Sequence, residues 1–133
     1  MIRPMSLTTA PNQTKSSMQD PQCIFCKIAA GEIPSTAVFA NDELYAFPDI
    51  NPKAPVHLLI IPKDHAMRSI AEMTDDQQAL VGRMIGLAKR LAEERGIATD
   101  GYRLVFNVRH HAGQEVDHVH LHLLGGQPLG PLG

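Results

Sequence analysis

Apolar and polar positions follow distinct periods along the 133-residue chain, and each period predicts an element. Ala37–Ala40 and Leu44–Phe47 are short apolar runs joined by Asn41-Asp42, the pattern of a hairpin. Val56–Ile61 is β-branched and aliphatic and stops at Pro62, which predicts a central strand. Thr74–Arg95 carries Leu80, Met84, Leu87, Ala88 and Leu91 at helical spacing. Thr74 with Gln77 forms a capping box there, Asp75 and Asp76 complement the first-turn dipole, and Gly96 ends the helix. Tyr102–Asn107 alternates as a strand, 108–117 is a polar loop containing Gly113, and His118–Leu124 alternates again until Gly125-Gly126. Pro21–Ala30 predicts a short helix closed by Gly31, which would put Cys23 and Cys26 on one face. One long helix among runs of strands predicts an α+β fold built on an antiparallel sheet of about five strands.

Residues 1–20 are rich in Ser, Thr, Gln and Pro and show no period, so they are expected to form a disordered tail ahead of a single domain at 21–133. A formal net charge of −2 provides no basic field for phosphate backbones, which argues against nucleic acid as a partner. The longest apolar run, Val56–Ile61, is too short to span a bilayer, so no membrane partner is expected. Two cysteines and no apolar leader segment predict a cytoplasmic protein rather than a disulfide scaffold. Gly82 and Gly86 sit four apart in the long helix, which leaves open a close helix approach, for example across a dimer, or tolerated local variation.

The chemistry concentrates at the last predicted strand. Five of the seven histidines lie between His110 and His122. In Asp117-His118-Val119-His120-Leu121-His122-Leu123-Leu124, alternation places His118, His120 and His122 on one face and Val119, Leu121 and Leu123 on the other. A row of imidazoles suits metal binding, or nucleophilic and proton-transfer chemistry near neutral pH. His65, His110 and His111 fall in loops and are expected to be solvated. No pair of carboxylates has the spacing of a magnesium-dependent phosphatase, so no magnesium requirement is expected.

His118-Val119-His120-Leu121-His122-Leu123-Leu124 resembles the His-φ-His-φ-His-φ-φ motif of the histidine-triad family, φ being apolar. The resemblance runs from about Cys23 to Leu132 and is nearest to the nucleoside-phosphoramidase branch, its bacterial members in particular. Further matches are Cys23-Ile24-Phe25-Cys26-Lys27-Ile28, Ala46-Phe47-Pro48-Asp49-Ile50, Ala54-Pro55-Val56-His57, Gly101-Tyr102-Arg103-Leu104, Gly113-Gln114-Glu115-Val116 and Leu124-Gly125-Gly126-Gln127-Pro128-Leu129-Gly130-Pro131.

The resemblance implies a homodimer that joins two sheets, and cleavage of P–N bonds in purine nucleoside phosphoramidates. His120 would attack the α-phosphorus, forming a nucleotidyl-imidazole that water then releases as a nucleoside monophosphate. His122 would contact phosphate oxygens or the leaving group, and the backbone at Gly113, Gln114, Glu115 and Val116 would hold the phosphate. Asp49 would accept from the ribose hydroxyls, Ile50 and Phe25 would pack on the base, and Asn107 would contact the phosphate or orient a histidine. His57 and His118 are left two roles: supporting His120 in catalysis, or joining Cys23 and Cys26 in a closed structural zinc site. Glu115 departs from the hydroxyl residue of animal relatives and agrees with many bacterial ones. The short C-terminal tail lacks an aromatic residue found in some relatives. Two other functions stay open: a dinucleoside polyphosphate hydrolase or nucleotidyltransferase of the same family, and a nucleotide-binding interaction module with little turnover.

Overall fold

The computed structural model describes residues 20–132, so the tail expected at 1–20 lies almost wholly outside the described residues. A short helix α1 (Ile24–Ala29) leads into strands β1 (Phe39–Ala40), β2 (Leu44–Pro48) and β3 (Val56–Pro62). The long helix α2 (Gln78–Glu94) follows, then β4 (Tyr102–Val105) and β5 (Leu121–Gly125). The strands form one five-stranded antiparallel sheet in the order β1-β2-β3-β5-β4. The fold class and the short and long helices therefore stand as predicted.

Each face of the sheet is covered by one helix, and the period of two decides which residues meet it. Leu44, Ala46, Leu58, Ile60, Leu121 and Leu123 pack against Met84, Leu87, Ala88 and Leu91 of α2. Tyr45, Phe47, Leu59 and Ile61 face the other way and pack with Cys23, Phe25, Cys26 and Ile28 of the α1 region. The same alternation sends Val119 to the α2 side, against Met67 and Val81.

Several boundaries differ from expectation, three of them near the capping box and the histidine strand. The capping box at Thr74 is present, but its first turn is a 3-10 turn, Asp75–Gln77, that runs into α2. β4 ends at Val105, before Asn107. β5 starts at Leu121 because the preceding backbone bonds elsewhere: Val119 N donates to Met67 O at 3.0 Å, and the His118 carbonyl accepts from a side chain. Gly82 and Gly86 have nothing within 4 Å of where a Cβ would stand, so no close approach among the described residues requires them. Gly125 does have a reason, since a Cβ there would come within 2.6 Å of Ile97 Cδ1.

Candidate active site and an adjoining cysteine–histidine cluster

The α1-side face of the sheet opens into a cavity of about 750 Å³, within the usual range for small-molecule sites. Its walls come from segments far apart in the chain: Phe25 from α1, Asp49 and Ile50 from the loop after β2, His57 from β3, Asn107 after β4, and His120 and His122 at β5. Antiparallel pairing makes this meeting possible. His57 lies opposite Leu124 and His122 opposite Leu59, so the two histidines are diagonal neighbours on one face with ring centres 5.2 Å apart.

Hydrogen-bond partners fix which nitrogen of each ring carries the proton. The His118 carbonyl can only accept, so His120 donates through Nδ1–H at 2.8 Å and keeps its lone pair on Nε2. The Lys53 N–H donates to His57 Nδ1 at 3.0 Å, which leaves the proton of His57 on Nε2. His57 Nε2–H then donates to His122 Nδ1 at 2.9 Å, so the proton of His122 stands on its Nε2. Backbone groups thus produce one ring with a free lone pair beside one ring with a free N–H. The His120 and His122 ring centres are 5.0 Å apart.

Burial keeps this set neutral. Desolvation pushes His122 down to about 4, with the neighbouring imidazoles His120 and His57 adding to it. Desolvation also lowers His120 and His57, and in both the Asp49 carboxylate partly opposes it. At neutral pH the His120 lone pair is therefore available without any prior deprotonation. Phe25 stands edge-on to His120 at 5.0 Å and to Phe47 at 5.7 Å, so it supports the ring as well as lining the cavity.

Asp49 holds its loop through Oδ1, which accepts from Asn51 N at 2.8 Å, and Oδ2 lies 3.4 Å from His57 Nε2. Ile50 beside it is 92% exposed at the rim of the cavity. Gly113, at φ 82°, bends the loop that brings Glu115 and Val116 to the cavity wall. Two of the amides expected to meet phosphate are already engaged: Gly113 N donates to His110 O and Gln114 N to Arg109 O.

A second cluster lies beside the first and corrects one expectation. His57 does not join Cys23 and Cys26, because β3 carries it to the cavity, where both ring nitrogens are bonded. Its place is taken by His65, three residues beyond the end of β3. Cys23, Cys26, His65 and His118 offer ligand atoms that all lie within 4.8 Å of one another. Cys23 Sγ is 3.3 Å from His118 Nδ1, and Cys26 Sγ is 3.5 Å from Nδ1 of both His118 and His65. His118 is fully buried, and its Nε2–H donates to the Pro62 carbonyl at 2.8 Å, which turns the Nδ1 lone pair toward the sulfurs. The amides of Cys26 and Asp20 point at Cys23 Sγ and Cys26 Sγ. A tetrahedral ion with bonds of ~2.3 Å to sulfur and ~2.05 Å to nitrogen separates those ligands by roughly 3.5 Å, so this donor set fits zinc. A third grouping, Asp49 with His57 and His122, is also tight, but its two imidazoles are hydrogen-bonded to each other.

A HIT domain model matches residues 30–129. The chain belongs to the HIT family. It is 49% identical over 111 residues to the purine nucleoside phosphoramidase of Escherichia coli (strain K12), covering 84% of this chain and 92% of that one. It is 46% identical over 103 residues to Protein HitA of Neisseria gonorrhoeae, covering 77% and 94%. Among solved structures, a HIT family hydrolase from Legionella pneumophila Philadelphia 1 superposes with a TM-score of 0.80 at 52% identity, covering 82% of this chain and 96% of that one. A histidine triad protein from Clostridium difficile superposes at 0.83 with 40% identity, covering 87% and 100%.

The HIT match contains His57, His65 and all three histidines of the triad but begins after Cys26. His65 is the site residue that sequence reasoning missed. Its only signal was a histidine soon after the strand-ending Pro62, close in sequence to nothing else in the cluster.

Proposed function

We propose that this HIT-family hydrolase cleaves the P–N bond of purine nucleoside phosphoramidates and releases the nucleoside monophosphate. The observation that carries this reading is the pinned His120 ring: its Nδ1–H is held by a backbone carbonyl, and its Nε2 lone pair is left for the cavity that the ring lines. In the first step Nε2 attacks the α-phosphorus, the P–N bond breaks, and the leaving amine takes a proton from His122 Nε2–H. His57, hydrogen-bonded to His122 at 2.9 Å, shares the proton deficit this leaves until the second step refills it. In the second step water attacks the same phosphorus and returns a proton to the His57–His122 pair, the P–imidazole bond breaks, and the monophosphate departs with His120 back in its neutral tautomer. Two easier displacements replace one difficult one.

The remaining walls supply recognition. Asp49 is placed to accept from ribose hydroxyls, and Phe25 with Ile50 forms the apolar slot for the base. Asn107 and the amides of Glu115 and Val116 are the groups left to meet phosphate oxygens. Glu115 carries a negative side chain, so its contribution is through its amide rather than its carboxylate. The activity of the E. coli relative supports the substrate class. The resemblance also supports a homodimer that joins two sheets, for which the β4 edge, unpaired among the described residues, is available.

The buried cluster is proposed to hold structural zinc through Cys23, Cys26, His65 and His118. A bound ion would supply positive charge to two thiolates and tie the α1 segment to the end of β3; it takes no part in the displacement. No helix among the described residues is long and apolar enough to cross a membrane.

The deciding experiment compares steady-state hydrolysis of an amine-linked adenosine monophosphate with that of a diadenosine polyphosphate, alongside trapping of labelled phosphate on the protein. Faster turnover of the phosphoramidate and label lost in His120→Ala support the proposal. Preference for the dinucleotide moves the chain to another branch. No turnover of either with tight nucleotide binding makes it an interaction module.

A further inference from the structure

Gln114 sits in the turn that delivers Glu115 and Val116 to the cavity, but its own side chain is committed to the protein. Its Oε1 accepts from Arg109 N at 2.7 Å, and its Nε2 donates to Arg68 O at 2.7 Å and to Val116 O at 3.0 Å. One amide thus spans both ends of the turn and anchors them to the segment that follows β3. The residue it holds is unusual. Arg109 has φ 65° and ψ −175° and is the only non-glycine at positive φ among the described residues. That region is essentially reserved for glycine, and a side chain stays there only where surrounding bonds force it. The Arg109 carbonyl is held as well, accepting from Ala112 N and Gln114 N, both at 3.2 Å.

We infer that Gln114 is a positioning residue rather than a substrate ligand: it clamps the strained Arg109 peptide and thereby fixes the height and angle at which Glu115 and Val116 meet the phosphate. The inference rests on the phosphate-binding reading of that wall. Arg109 is exposed, so the clamp is not a by-product of core packing. Both Nε2 protons and an Oε1 lone pair are used, which leaves the side chain nothing further to donate to a substrate.

The test uses the full chain as wild type, Gln114→Ala, Arg109→Gly and the double variant, with an amine-linked adenosine monophosphate as substrate and amide hydrogen exchange as a second readout. Gln114→Ala is expected to lower kcat roughly tenfold to a hundredfold, with a smaller change in KM, because misplacement of a transition-state contact appears mainly in kcat. Exchange should rise at 109–116 and stay unchanged in β3 and β5. Glycine adopts the Arg109 conformation without being held there, so the double variant should recover about threefold or more of the lost kcat. Gln114→Glu, which keeps the acceptor and loses the donors, should fall between wild type and Gln114→Ala. Wild-type kcat in Gln114→Ala overturns the inference. So does a loss that Arg109→Gly leaves unrepaired, which would mark a direct substrate contact, and so does a rise in exchange across the whole sheet. A wild-type protein that leaves the phosphoramidate intact overturns the functional reading instead, and the exchange pattern still decides the clamp.

Discussion

His118 and His120 are two residues apart and on the same face, yet the structure gives them opposite kinds of surroundings. His118, itself fully buried, donates through Nε2 to Pro62 O and turns Nδ1 to two sulfurs in a closed cluster. His120 donates through Nδ1 to His118 O and keeps Nε2 for an open cavity. The side chains are chemically identical. What differs is which ring nitrogen a backbone carbonyl captures, and what is packed around the other. Desolvation brings His118 down to about 4 and also lowers His120, so both are neutral at pH 7 and the contrast is one of direction rather than charge. A motif of repeated histidines therefore specifies positions, while the fold specifies roles.

Removing each ring separates the two roles most sharply. His120→Ala should lower kcat by about 10⁴-fold or more, measured by single-turnover hydrolysis, because it deletes the proposed nucleophile. His122→Asn should lower it by about 10²-fold, through loss of the proton donor, and the deficit should shrink for a substrate whose leaving group needs no proton. Cys26→Ser, or treatment with a chelator, should lower the melting temperature by several degrees and release zinc in equal amount to protein, measured by scanning calorimetry and metal analysis. At a temperature where the variant stays folded, its kcat should remain within about tenfold of wild type, since the cluster reaches His120 through supports, the His118 carbonyl and the Phe25 ring, rather than through reacting atoms. An undiminished melting temperature after chelation would remove the distinction between the two clusters.

Acidity sharpens the comparison further. His122 is pushed from 6.5 to about 4, chiefly by burial. As pH falls through that window the unfolded chain takes up a proton that the folded chain refuses. Stability therefore decreases with falling pH, by up to ~1.4 kcal/mol per pH unit for such a group. The expected kcat profile is flat from pH 8 to about pH 6, while urea midpoints measured in parallel already decline below pH 6.5. A kcat that falls with a midpoint near 6.5 would show an imidazole with ordinary solvation. The smallest effect should be that of Glu115→Gln, within about threefold in kcat/KM, because the proposed contact is made by its amide rather than its carboxylate.

Much of this was legible from alternation alone. His118, His120 and His122 share a face as the pattern required, even though the ladder bonds begin only at Leu121, because the side-chain period continues through residues whose backbone pairs elsewhere. The capping box at Thr74 and the apolar stripe from Met84 to Leu91 placed α2 without reference to anything distant. The partners of His57 were not legible in the same way. They depend on the β3–β5 register and on Lys53 N folding back to the ring, neither of which has a local signature. His65 was missed for a related reason: its nearness to Cys26 is made by the chain turning after Pro62. The occupied amides of Gly113 and Gln114 show the same limit in a loop, where hydrogen-bond bookkeeping needs coordinates.

The group that aims the His120 ring is a peptide oxygen. An acidic side chain in that place could be lost by a single codon change, and the imidazole would then be free to rotate or swap its proton. No substitution at residue 118 deletes its carbonyl, so the tautomer of His120 is insulated from mutation of the very residue that sets it, and neighbouring positions are left free to diverge while the reactive nitrogen keeps its heading.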